Sequence, residues 1–241
     1  MFATRVILIA IGLAAGLAIA TPASARDSTS GGDAMAQRLE ACTACHAEEG
    51  IRLEDGYVPR IHGKPAGYLY NQLVNYQTLR RRNATMNHLV SHLSRDYLYE
   101  IARHFAERHP PYPAAAERPG RALAERGEQL VREGDPQAEV PACASCHGER
   151  LTGVQPNTPG LVGLPRQYIM AQLGAWQVGT RHAAAPDCMA EITARLDGRD
   201  VEAVAAWLAA RPVPDNTEPA DAPVAEPPMD CGSVPAPDDN A

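Results

Sequence analysis

The chain has 241 residues, a formal charge of −7, and only two Phe and two Trp, so it is short of the bulky side chains from which ordinary cores are built. Seven carboxylates and no cation fall between residues 212 and 241, which leaves the rest of the chain neutral. Lys64 is the one lysine and Arg80–Arg82 the longest basic run, a pattern that excludes a nucleic-acid surface.

At the N-terminus, Arg5 precedes an apolar run from Val6 to Ala20, and Ala23, Ser24 and Ala25 form an A-x-A cleavage pattern. This predicts a signal peptide over 1–25, cut after Ala25, and an exported, periplasmic protein. An uncleaved anchor is the alternative, but the run is short of the roughly 20 residues of a membrane span. Residues 26–110 then read as one domain, and "HPPYPAAAERPG" (109–120) as a proline-rich linker. A second domain is predicted over 120–211, followed by a Pro- and acid-rich tail over 212–241 with no apolar period, expected to be extended or disordered.

The two predicted domains repeat one another. "CTACH" (Cys42 to His46) returns as "CASCH" (Cys143 to His147). "PRIHGKPAGYLYNQLVNYQTLRR" from Pro59 returns as "PGLVGLPRQYIMAQLGAWQVGTR" from Pro159, and "MNHLVSHLSRDYLYEIARHFA" from Met86 as "MAEITARLDGRDVEAVAAWLA" from Met189. Three segments in one order indicate a duplicated domain. Leu69, Leu73 and Tyr76, and their mates Ile169, Leu173 and Trp176, keep helical spacing, and no segment alternates convincingly as a strand. The expected fold class is all-α, in two tandem copies.

A C-x-x-C-H pentapeptide is the signature of covalent haem c attachment. Two thiols one helical turn apart can add to the two vinyl groups of a porphyrin, and the following His can ligate its iron. A zinc ribbon would need its second Cys pair within about 15–20 residues, and a thioredoxin-like pair a βαβ setting that is missing. Cys42, Cys45, Cys143 and Cys146 are therefore the predicted attachment points, with His46 and His147 as proximal ligands of two iron-bearing haems. Met86 and Met189 hold matching places in the repeat and are the candidates for the sixth ligand, a choice that suits electron transfer. Met35 and Met170 lack counterparts and read as packing residues. His88 and His92, beside Met86, leave a bis-His first haem open.

These segments resemble the diheme class I c-type cytochromes of the cytochrome c4 family, over about Met35 to Arg211. The resemblance implies two class I cytochrome c folds related by a pseudo-twofold axis. It also implies that the carbonyls of Pro59 and Pro159 orient the proximal histidines, and that the protein relays single electrons. Its partners would be redox proteins: a quinol-oxidising membrane complex, a terminal oxidase or a periplasmic dehydrogenase, with membrane association only through them. "CHAEEG" departs from the family in lacking a Gly after His46.

Cys188 and Cys231 lie outside the pentapeptides. Met86 has Thr85 beside it, so Cys188 is no part of the repeat, and a Cys188–Cys231 disulfide that ties back the tail is expected. The competing reading makes Cys188 a thiolate ligand of one iron in a thiosulfate dehydrogenase-like diheme enzyme. A third reading is a cytochrome subunit of a periplasmic dehydrogenase, docked through the tail.

Overall fold

A computed structural model describes residues 30–54, 56–113 and 118–237. The predicted signal peptide lies outside the described residues. In the first half, α1 (Ser30–Arg38) and α2 (Glu40–Thr43) lead into a hairpin of β1 (Ile51–Leu53) and β2 (Gly56–Val58), then α3 (Ala66–Gln77), α4 (Ala84–Val90) and α5 (Arg95–Ala106). The second half follows the same order. It has α6 (Arg121–Arg132), α7 (Cys143–His147), a hairpin of β3 (Gly153–Val154) and β4 (Thr158–Pro159), α8 (Arg166–Gln177), α9 (Cys188–Ala194) and α10 (Gly198–Ala209).

Local chemistry sets the helix starts. Pro65 and Pro165 stand immediately before α3 and α8, with backbone angles that start a helix without a side-chain cap. The side chains of Asn83, Ser94, Asp187 and Asp197 accept backbone N–H bonds at the starts of α4, α5, α9 and α10, supplying partners to otherwise orphaned donors. The two hairpins differ from the expectation of no strands. At two or three residues each, their strands are too short to leave an alternating pattern.

Each half has its own apolar cluster. The first gathers Leu69, Val74, Leu98, Ile101 and Phe105 where α5 packs on α3. The second gathers Leu130, Ile169, Val204, Trp207 and Leu208 where α10 packs on α6 and α8. Gly127 lets α6 approach α10 closely: a Cβ there would meet the Ala203 carbonyl and lie 2.5 Å from Trp207 Cβ.

The halves meet through equivalent residues. Arg81 pairs with Arg181 in an antiparallel bridge, Arg82 N–H donates to Thr180 O (3.1 Å) and His182 N–H to Arg80 O (2.7 Å). The Tyr57 and Tyr168 rings meet edge-on at 5.5 Å. From the linker, Tyr112 lies under the Arg60 guanidinium at 3.3 Å.

The tail is extended and attached rather than free. Ala220 N–H donates to Gly153 O (2.9 Å) and Gln155 N–H to Ala220 O (2.8 Å), adding a parallel bridge beside β3. Farther on, Val234 N–H donates to Asn71 Oδ1 (2.7 Å) and Val234 packs on the first half's core. Among the described residues no helix is long and apolar enough to cross a membrane.

Candidate functional site

Both pentapeptides form tight helical turns. His46 N–H donates to Cys42 O at 2.8 Å just past α2, and α7 spans the whole of "CASCH". The Cys pairs thus sit at i and i+3, on one face of a turn. None of the four is disulfide-bonded. Burial raises the Cys42 and Cys146 thiols, and pushes Cys143 up to about 12.

The histidines are set the same way in each half. His46 Nδ1 lies 2.7 Å from Pro59 O, and His147 Nδ1 lies 2.7 Å from Pro159 O. A carbonyl only accepts, so Nδ1 carries the proton and donates, leaving Nε2 with its lone pair free. Burial lowers both imidazoles and favours the neutral, ligating form. The hairpins explain the match: β2 ends one residue before Pro59, and β4 ends on Pro159. The turn after each His differs. Gly148 adopts a left-handed φ of 81°, whereas the first half has Ala47 and turns instead at Gly50, φ 77°.

Met86 and Met189 are half-buried within α4 and α9, the short helices just before the last helix of each half. Met86 and Cys42 pack against the first core, and Met189 and Cys143 against the second. His88 and His92 are exposed, while Met35 and Met170 pack on the cores as expected. Cys188 and Cys231 form a disulfide, with Cα atoms 5.4 Å apart.

Other residues at the site escaped the sequence reading. Gln77 Nε2 donates to Val90 O (3.0 Å) and Leu93 O (2.7 Å), and Gln177 Nε2 to Thr193 O and Leu196 O (both 2.9 Å). Each glutamine ties the helix that carries the methionine to its neighbour. At the seam, Arg81 donates to Gln72 Oε1 (3.0 Å) and Gln172 Oε1 (2.6 Å), and Arg181 to the same two oxygens at 3.2 and 2.7 Å. Recurrence of Gln72, Gln77 and Arg81 in the second copy was a signal, but sequence gave no partner for them.

Paired thiols one turn apart, an imidazole with a free nitrogen and a thioether on the same apolar cluster fit a covalent haem c in each half. No family model matches the chain. It is 36% identical over 172 residues to a thiosulfate dehydrogenase electron acceptor of Thiomonas intermedia, covering 71% of this chain and 79% of that one. It is 30% identical over 182 residues to a cytochrome c4 of Thiocapsa roseopersicina, covering 73% of this chain and 92% of that one. Reduced cytochrome c4 from Pseudomonas stutzeri superposes with a TM-score of 0.62 at 26% identity, over 74% of this chain and 97% of that structure. Repeat, fold and relatives agree, and the chain belongs to the cytochrome c4 family of electron-transfer cytochromes with two covalently bound haem c groups.

Proposed function

We propose that this cytochrome is a periplasmic electron carrier that accepts single electrons from a thiosulfate-oxidising dehydrogenase and passes them toward a terminal oxidase. Residues 26–110 and 120–211 act as two domains with one haem each. Cys42 and Cys45 hold the first haem and Cys143 and Cys146 the second. His46 with Met86, and His147 with Met189, would hold the iron of each. When bound, each haem supplies a one-electron iron couple. Pro59 and Pro159 fix the imidazole planes through Nδ1–H, keeping Nε2 on the metal side and strengthening it as a donor. The methionine thioethers would complete the ligand set, a choice that favours the reduced state.

The observation that carries this reading is the disulfide. With its sulfur bonded to Cys231, Cys188 has no thiolate to offer an iron, so the one feature behind a substrate-binding enzyme is spoken for. The name of the Thiomonas relative supports a thiosulfate dehydrogenase as donor. The test mixes oxidised holoprotein with thiosulfate, with and without a purified thiosulfate dehydrogenase. Reduction of both haems only when the dehydrogenase is present is expected. Turnover of thiosulfate by this chain alone with an artificial acceptor would contradict the carrier role.

A further inference from the structure

Four cations lie buried at the seam: Arg60, Lys64, Arg81 and Arg181, none more than 9% exposed. Among the described residues none of them has a carboxylate at ion-pair distance. Arg81 and Arg181 are held by glutamine oxygens, which carry no charge. Arg60 gives one N–H to Val162 O (2.8 Å) and stacks on Tyr112, yet its Nε and Nη1 are buried without hydrogen-bond partners. Burial, reinforced by the three guanidiniums, drives Lys64 well below its usual value. Such a cluster is costly unless negative charge is brought to it. Each haem brings two propionate carboxylates.

The cluster is also lopsided. Arg81 and Arg181 are repeat mates, but Arg60 and Lys64 have Gly160 and Leu164 as theirs. The segment from Arg60 to Tyr68 crosses onto the second half at both ends, where Arg60 meets Val162 O and Tyr68 N–H donates to Pro156 O (3.2 Å). Between those two landing points is Pro159, whose carbonyl holds His147. Lys64 sits midway along the crossing segment and is buried. A buried leucine, Leu164, takes the matching place on the other side.

We propose that Lys64 is a potential-setting residue for the second haem, its ammonium pairing across the seam with a propionate of the haem attached at Cys143 and Cys146. This rests on haem attachment at those cysteines. A positive charge beside that haem favours its reduced state, so the two haems of a duplicated protein are made unequal by one unduplicated lysine. Electron uptake itself makes and breaks no bond here; Lys64 shifts only where the electron prefers to reside.

The test uses diheme holoprotein and follows each haem through its own assigned haem-methyl NMR resonances during a redox titration. In Lys64→Gln and Lys64→Leu, the sharing of one electron between the haems should move away from the second by about tenfold, or ~59 mV for a one-electron couple. Lys64→Arg should restore it, and Leu164→Lys should move the balance toward the first haem. The redox-difference infrared band of the second haem's propionates should shift in Lys64→Gln and return in Lys64→Arg. If either neutral variant leaves the balance within twofold, or moves both haems equally, the proposal falls. Failure of haem attachment is read separately, from the mass of wild-type protein: a chain lacking two covalent haems would sink the attachment reading itself.

Discussion

Gln77 and Gln177 each turn one side-chain amide toward two carbonyls, at the far end of the helix that carries Met86 or Met189. The bonds are made inside partly buried surroundings, where a lost donor leaves acceptors without a partner. Gln177→Ala should cost about 1–3 kcal/mol of holoprotein stability in chemical denaturation. It should also loosen Met189, read as tighter binding of added imidazole by the second haem. Unchanged imidazole affinity would mean that the glutamine braces only the fold. At this scale the sequence was most legible where chemistry demands a residue type at fixed spacing, as in the thiols and histidines of the pentapeptides. Arg60 and Lys64 were not legible, because nothing recurs at Gly160 or Leu164 and their company forms only when the seam closes.

The helices were readable because each repeats an apolar period and because the second copy checks the first. The hairpins were missed for want of length, although they deliver Pro59 and Pro159 to the histidines. Met86 and Met189 lie just before the last helix of each copy, in short helices started by the side chains of Asn83 and Asp187. Between elements, the crossing of α6 and α10 depends on Gly127, since a Cβ would collide with Ala203 O and Trp207 Cβ. Gly127→Ala should therefore destabilise the second half by about 1–3 kcal/mol through overpacking, despite alanine's better helix propensity. Thermal unfolding followed at the second haem should show the loss. A rise in melting temperature would mean that α6 can shift without cost.

As a whole, the molecule is two like halves fastened in two ways: a seam of equivalent residues, and a tail that runs along β3, is anchored at Cys188, and reaches Asn71 of the first half through Val234. Acid-rich composition suggested an extended or disordered tail; backbone pairing and the disulfide supply the order that its side chains do not. Closing a loop with a separation of 43 residues is worth about 4 kcal/mol in the chain-entropy account. Cys188→Ser should lower stability toward denaturant by up to that amount and open residues near Asp230 to limited proteolysis. Protection equal to wild type would mean that the backbone bonds suffice. The spectrum of the oxidised holoprotein tests the central claim, two His/Met haems in one carrier, most directly. The Met–iron charge-transfer band should correspond to two haems per chain, halve in Met86→Ala and in Met189→Ala, and persist in Cys188→Ser. A thiolate-type low-spin signal abolished by Cys188→Ser would contradict it.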